Sequence, residues 1–163
     1  MAERFTIDRI DYYYDKAVEI YCELHEIEPD EITEEQLQEV NLFAGNHIGF
    51  FIAWVIKHDF INDYYKDNEG VKKVKEETMT GTEYLIEHCD TKFLSDDVSE
   101  SIIPFIQEYY SESYFEDYCD WVVNELCDLP MEFIGTWEDY HEFESVINEA
   151  YEKFFETNSM KKP

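Results

Sequence analysis

Basic residues are scarce in this sequence: 12 lysines and arginines stand against 40 aspartates and glutamates, for a formal net charge of −28. A surface with so few cations repels nucleic acids and anionic membranes, so the charge argues against direct binding to either. The same field attracts cationic partners and raises their association rate at low salt. Excess acid can also serve only solubility or adaptation to salt, so the charge alone leaves both interpretations open.

Glycine is also rare, with five residues, and the glycine-rich motifs that bind phosphates or dinucleotides are absent. The chain has no nucleophile elbow, and no two histidines have the i, i+4 spacing of a helical metal site. The segment 63–70 lacks the spacing and closing glutamate of a calcium loop. Spacing alone cannot single out a catalytic carboxylate pair among forty acids. We therefore expect no enzymatic activity, no metal and no cofactor.

The four cysteines include no C-x-x-C pair, and their neighbours are typical of helices. We predict that all four are reduced, buried, small hydrophobic residues of a cytosolic protein. They are Cys22, Cys89, Cys119 and Cys127. The N-terminal residues 1–5 lack the basic stretch and apolar run of a signal peptide. The apolar run at 48–56 is far shorter than the roughly 20 residues that cross a bilayer. We expect a cytoplasmic protein that does not bind membranes.

Hydrophobic residues make up 44% of the chain and aromatic residues 17%, which is enough for the core of one domain of 163 residues. No stretch shows the sustained alternation of a strand, whereas apolar residues recur at steps of three and four. We predict an all-α, single-domain bundle of about six helices over residues 1–163. A frayed tail is expected at 157–163, and a small β element remains compatible with the pattern.

The predicted helices differ in how apolar they are. Their expected ranges are 8–27, 33–61, 80–88, 95–110, 114–127 and 138–156. The central part, roughly 40–61, is apolar almost all round, so we expect the other helices to cover it. The Gly45–Asn46 pair leaves open whether this helix is continuous.

Local signals mark several helix starts. Thr33 with Gln36, and Thr80 with Glu83, have the spacing of a capping box. Ser95, followed by two acids, is typical of another start. In the first helix, an apolar stripe is predicted at Ile10, Tyr14, Ala17, Tyr21 and Leu24. A proline within the predicted helix 95–110, Pro104, predicts a kink or a fresh start.

Tyrosines are interleaved with acids in two segments, 11–15 and 108–121. Helical geometry cannot bury all of these rings in one core, and tyrosine is favoured at binding surfaces. The neighbouring carboxylates would meet lysines and arginines of a basic protein partner. The alternative is that the rings cover the edge of the core, with their hydroxyls in water. The candidate partner-binding residues are Asp11, Tyr12, Asp15, Glu112, Tyr114, Glu116, Asp117 and Asp120.

His47 lies in the most apolar helix, within about two turns of Phe50, Phe51 and Trp54. A histidine in such surroundings is more often a hydrogen-bonded core residue than a ligand or a base. Its use by a small enzyme or a metal-binding protein is kept as an alternative.

The segment 46–56, N-H-I-G-F-F-I-A-W-V-I, resembles an uncharacterised bacterial domain family that is built around a T/N-H-I-G-x-F-x-A-W helix. Stretches similar to its later motifs follow in order at 81–97, 108–118 and 136–147, so the resemblance spans roughly residues 40–155. It implies scaffold roles for the motif residues. Phe51 and Trp54 would lie in the core, Gly49 at a close helix contact, and Trp137 at a helix start.

Members of this family look like small acidic proteins encoded beside bacterial toxins, where such proteins act as immunity proteins. The resemblance therefore implies an immunity protein or antitoxin that binds a cognate toxin, foremost a basic nuclease domain, by steric block and charge complementarity. One alternative is an acidic mimic of nucleic acid that inhibits a DNA-binding or restriction enzyme. A mimic would bind several DNA-binding proteins, whereas an immunity protein would bind one toxin.

Overall fold

A computed structural model describes residues 4–126 and 135–160, which form six helices and one two-stranded sheet. The helices are α1 (Asp11–His25), α2 (Glu34–Lys57), α3 (Glu69–Lys75), α4 (Gly81–His88), α5 (103–126) and α6 (Trp137–Met160). The strands are β1 (Thr6–Arg9) and β2 (Lys92–Leu94). This architecture confirms the predicted all-α bundle and adds a small antiparallel sheet.

Both predicted capping boxes are present. The Thr33 hydroxyl accepts a hydrogen bond from the Gln36 backbone N–H, and the Gln36 side chain accepts one from the Thr33 N–H. Thr80 and Glu83 make the same reciprocal pair at the start of α4. Each box satisfies two N–H groups that a helix start leaves without partners, so both boundaries follow from local sequence.

Helix α2 lies at the centre of the bundle and is continuous through Gly45. Every residue from 44 to 56 is buried. The predicted central helix continues to 61, but α2 ends at Lys57. In the described part of the chain, α2 is the helix that is long and apolar enough to cross a membrane. Because 78% of its most apolar stretch is buried inside the fold, it has the character of a core helix.

Two glycines allow α2 and α4 to approach closely. A Cβ atom on Gly49 would lie 2.1 Å from the Thr82 hydroxyl, and one on Gly81 would lie 1.9 Å from the Gly49 carbonyl oxygen. Real side chains do not fit at either position. The close helix contact implied for Gly49 is therefore confirmed.

The N-terminal residues differ from the prediction. Helix α1 begins at Asp11 because Thr6–Arg9 pairs with Lys92–Leu94 in antiparallel register. The predicted apolar stripe ends early: Leu24 is 52% exposed. It lies in the last turn of α1, just before the chain adopts a left-handed conformation at Glu26, and its place in the stripe was predicted wrongly.

Helix α5 replaces two predicted helices. Ser95–Asp97 is a single 3₁₀ turn, so the predicted helix start there is wrong. The continuous helical stretch begins at Ile103 and runs to Leu126 without the predicted break near residue 113. Pro104 occupies the first turn of this stretch, where its missing N–H group costs no hydrogen bond. The fresh start predicted for Pro104 is confirmed.

Two segments of α5, Ile106–Tyr114 and Val122–Leu126, are π-helical. A π-turn closes i→i+5 hydrogen bonds and therefore contains more residues than an α-turn. In a wider turn, the angular offset around the helix axis between residues i and i+4 is smaller. One row of buried residues in α5 has this spacing of four: Ile106, Tyr110, Tyr114, Tyr118 and Val122.

Helix α6 begins at Trp137, as the resemblance implies, and Thr136 with Asp139 forms a further capping box. It continues to Met160, four residues beyond the predicted end at 156. Residues 161–163 of the predicted tail lie outside the described residues.

The three described cysteines are free, and Cys127 lies outside the described residues. Cys22 is buried as predicted, whereas Cys89 and Cys119 are only half-buried. Burial and the nearby Asp97 carboxylate raise the pKa of Cys89 to about 12. Burial and Asp120 raise the pKa of Cys119 to about 11. Reactive cysteines depend on a lowered pKa, so both thiols have the character of structural residues.

Candidate functional site

A sealed polar cluster lies between β1, α1, α2 and α5. The Asp8 carboxylate accepts hydrogen bonds from the hydroxyls of Tyr13 (2.9 Å) and Tyr110 (2.6 Å) and from the Arg9 backbone N–H (2.9 Å). The His47 Nε2 atom lies 3.5 Å from Asp8 Oδ2. Asp8 is 3% exposed and His47 1%. The cluster therefore joins four elements and presents almost no surface to a substrate.

Aromatic rings enclose His47. The rings of Tyr13 and Phe115 contact it edge-on at centroid distances of 4.4 and 4.8 Å. Among the described residues, its Nε2 atom has no hydrogen-bond partner, and its backbone carbonyl accepts a hydrogen bond from the Tyr114 hydroxyl. Across residues 4–126 and 135–160, no three metal-ligating side chains come together. These surroundings favour a core role for His47.

Tyr114 was predicted as a partner-binding residue, and the structure contradicts this. Its side chain is completely buried. Its ring stacks on Tyr110 at 4.7 Å, and its hydroxyl reaches the backbone of α2. Tyr114 lies one turn from Tyr110, on the side of α5 that faces the core.

Five of the remaining candidates lie outside the groove described below, on the exposed parts of α1 and α5, which we call the α1–α5 face. They are Asp11, Tyr12, Asp15, Glu112 and Glu116, and all five are exposed. The face exists because Tyr13 of α1 stacks on Phe115 of α5, with ring centroids 5.4 Å apart. Arg9 pairs with Asp11 and lies over the Tyr12 ring at 5.7 Å, so a neighbouring cation partly neutralises one corner.

The last two candidates, Asp117 and Asp120, line a groove between α5 and α6. This α5–α6 groove has a volume of about 710 Å³, within the range of ligand-binding clefts. Its carboxylates are Glu108, Asp117, Asp120, Glu125 and Glu149. Its apolar and aromatic lining consists of Tyr109, Trp121, Val146, Ala150 and Phe154. The structure thus divides the candidates between two surfaces.

The floor of the groove is continuous with the core. The Tyr109 hydroxyl donates to Asp117 Oδ2 at 2.7 Å. Burial raises the pKa of Tyr109, and this hydrogen bond to a carboxylate raises it further. Phe105 stacks on Tyr109 at 5.3 Å and meets Phe154 edge-on at 5.5 Å. Because these rings pack on one another, the floor keeps its shape without a ligand.

The charge of the groove is uneven. Its one ammonium group, on Lys153, lies 3.3 Å from Glu149 on the same helix. Among the described residues, no lysine or arginine forms an ion pair with the four carboxylates that α5 contributes. The α5 wall is therefore an uncompensated anionic surface beside an aromatic floor.

Sequence patterns identified only part of this groove. Asp117 and Asp120 were predicted, and Glu108 and Trp121 lie in the segment that drew attention to α5. Glu149, Ala150 and Phe154 were missed as site residues. Their helical periodicity was visible in the sequence, but the pairing of α6 with α5 depends on long-range packing.

The chain was also compared with known proteins. It matches one family model, Domain of unknown function (DUF7832), over residues 6–131. The match covers more than half of the chain, from β1 through the α5 wall of the groove. No curated protein and no solved structure matches the chain. The chain belongs to the family described as domain of unknown function DUF7832.

Proposed function

We propose that this protein binds a cation-rich protein partner and inhibits it, as an immunity protein or antitoxin does with its toxin. The observation that carries the proposal is the α5–α6 groove, where five carboxylates and one ammonium surround an aromatic floor. Such a site combines long-range attraction for cations with a desolvated apolar contact.

The two parts of the groove have different roles in binding. Exposed ion pairs contribute about 0 to 1 kcal/mol each, so the carboxylates serve mainly to speed association and to select a basic partner. Affinity comes from buried aromatic contacts, which dominate the energetics of most interfaces. Val146 and Phe154 supply these contacts here, since both line the groove and are half-buried. Tyr109 and Trp121, each 9% exposed, lie beneath them and add only their edges.

The available surface is large enough for a stable complex. A standard interface buries about 800 Å² on each partner. The described protein exposes 9600 Å², so less than a tenth of its surface is required. Glu112 and Glu116 of the α1–α5 face belong to the same helix as one wall of the groove, so a large partner could extend from the groove to them.

The partner class follows from charge and from the family resemblance. A basic nuclease domain carries lysines and arginines that hold phosphates, and these would pair with the carboxylates of the groove. Inhibition would then be steric, because the bound protein covers the nucleic-acid site. The aromatic floor has no counterpart in a phosphate backbone, which favours a dedicated protein partner over general mimicry of DNA.

The proposal is tested by co-expression with a toxin encoded next to this gene. The complex is purified in about 50 mM and about 500 mM salt, because the Debye screening length differs several-fold between these two concentrations. We expect association to slow at least about tenfold at the higher salt. The groove triple variant Asp117→Asn, Asp120→Asn and Glu125→Gln should slow association by a similar factor in low salt.

A matched control removes three exposed acids elsewhere, in Glu23→Gln, Glu28→Gln and Asp30→Asn. This variant changes the net charge equally and should leave association within about twofold of the unmodified protein. A complex that forms equally fast at both salt concentrations, or equal effects of the two triple variants, would contradict the proposal.

A further inference from the structure

The length of the α5–α6 groove limits what can occupy it. Along α6 its lining extends from Val146 to Thr157. Eleven steps of 1.5 Å make this wall about 16 Å long, or three helical turns. The α5 wall is longer in sequence, from Glu108 to Glu125. A helix of three to four turns could therefore lie along the whole groove.

The two walls differ in chemistry. Helix α5 contributes four carboxylates, whereas α6 contributes Val146, Ala150 and Phe154 and a glutamate that already pairs with Lys153. An occupant that satisfies both walls needs cations on one side and an apolar stripe on the other. A helix with lysines or arginines opposite a stripe at i, i+3, i+4 and i+7 has this arrangement.

The apolar wall of the groove is recessed at its centre. Ala150 presents only a methyl group between Val146 and Phe154, which lie one turn to either side. Helices pack at axial distances of 8 to 10 Å, and small side chains at the contact permit the shorter distance. The position of Ala150 thus allows a helix to lie close to α6 while its apolar stripe contacts the floor.

We infer that the α5–α6 groove binds a cationic amphipathic helix of the partner, which would lie between α5 and α6 as a third helix. This inference rests on the proposed function and specifies how the partner is bound. A purely basic extended segment would pair with the carboxylates but would leave the aromatic floor in water. A purely apolar helix would cover the floor and bury the carboxylates without partners, at a cost in free energy.

The test uses three labelled peptides of equal net charge, followed by fluorescence anisotropy in low salt. The first is a leucine–lysine helix of about 18 residues, or five turns, with the apolar stripe described above. The second has the same composition in scrambled order, and the third replaces the leucines by serine. We expect the amphipathic peptide to bind at least about tenfold more tightly than either control.

Variants locate the binding site. Ala150→Phe should fill the centre of the groove and weaken binding of the amphipathic peptide about tenfold, whereas Ala150→Ser keeps the space and should bind normally. Circular dichroism checks that both variants fold. Should Ala150→Phe fail to fold, Asp120→Asn with Glu125→Gln takes its place. The pair Glu23→Gln and Glu28→Gln, exposed residues that do not line the groove, should leave peptide binding unchanged.

The outcomes separate this inference from the proposed function. Equal binding of the amphipathic and scrambled peptides, or normal binding to a folded Ala150→Phe variant, would overturn the helix-in-groove inference while leaving charge-led recognition in place. Failure of all three cationic peptides to bind in low salt would overturn both, because the anionic surface would then not attract cations measurably.

Discussion

Two adjacent tyrosines of α5 each donate a hydrogen bond to a carboxylate, but the two pairs have opposite surroundings. Tyr110 donates to Asp8 at 2.6 Å inside the sealed cluster, and Tyr109 donates to Asp117 at 2.7 Å on the edge of the groove. Asp8 is 3% exposed and accepts from three donors, whereas Asp117 is only partly buried and lines open space. The hydrogen bonds are nearly identical, so the difference lies in access to water.

Access to water distinguishes a carboxylate that stabilises the fold from one that can bind a partner. A buried carboxylate with all its donors supplied by the protein has no capacity left for a partner, and it holds secondary structure elements together. A carboxylate at a groove can exchange water for a cation of a partner at little cost. A tyrosine next to an acid in sequence therefore does not by itself indicate a binding surface.

The largest expected effect concerns the close contact between α2 and α4. Helix α2 also carries His47 of the sealed polar cluster. Gly49→Ala would place its Cβ atom against the backbone of Thr82, 2.4 Å from the nitrogen. Backbone atoms cannot move aside as a side chain can, so we expect a loss of about 3 kcal/mol in the free energy of unfolding. Urea denaturation followed by circular dichroism measures it.

Gly45→Ala is the matched control on the same helix. Its Cβ atom would meet the Ile10 Cδ1 atom at 2.8 Å, the far end of a side chain that can rotate. Alanine is also the better helix former. We expect a loss below about 1 kcal/mol. Equal losses for the two variants would show that the contact at Gly49 is not as close as described.

The second prediction tests the comparison directly with two hydroxyl deletions. Tyr110→Phe removes a donor from the buried Asp8 carboxylate and should lower the free energy of unfolding by about 2 kcal/mol. Tyr109→Phe removes a donor from Asp117, which water can replace, and should cost about 0.5 kcal/mol. Thermal or urea unfolding of both variants checks this order. Equal costs would mean that the cluster around Asp8 is not sealed from water.

The smallest expected effect concerns Glu77, which is more exposed than either Asp8 or Asp117. Hydrogen bonds from Lys57 (2.9 Å) and His141 (2.8 Å) hold the pKa of Glu77 below its ordinary value of 4.5. A lowered pKa stabilises the fold above pH 4.5, and the contribution is lost as the pH falls through the folded-state pKa. The side chain is about one third exposed, so screening keeps the contribution below about 1 kcal/mol.

Glu77→Gln isolates this contribution from the effects of the other acids. The difference in the free energy of unfolding between the two proteins should be present at pH 7 and should vanish well below pH 4.5. Denaturant titrations at a series of pH values measure it. A difference that grows towards low pH would have the wrong sign and would exclude the assigned ion pairs.

Local sequence was sufficient for the helices that begin at capping boxes and for the buried central helix. Thr33 and Thr80 specify their boundaries through hydrogen bonds to residues three positions away, and the apolar run of α2 leaves it no exposed face. The strand Thr6–Arg9 was missed because it has four residues and its partner is more than eighty positions away. The continuity of α5 was missed because π-turns change the period on which the prediction relied.

The candidate site was predictable to the extent that it depends on single helices. Asp117 and Asp120 follow from their position among the acids of α5. Tyr114 was predicted wrongly because its acidic neighbours were taken as a sign of exposure, whereas the four-residue spacing from the buried Tyr110 and Tyr118 places it on the core side. Phe154 and Glu149 belong to the site only because α6 packs beside α5, and that packing is a property of the whole core.

The tyrosines of α5 have a consequence for the entropy of complex formation. Tyr110 is bonded to Asp8 of the sheet and Tyr114 to the backbone of α2, so α5 is anchored on two neighbouring elements and cannot spin about its own axis. The orientation of its acidic side is therefore established before any encounter. A partner need not wait for, or stabilise, a rare rotational state of this wall, and most of the ordering on association falls on the partner's own chain.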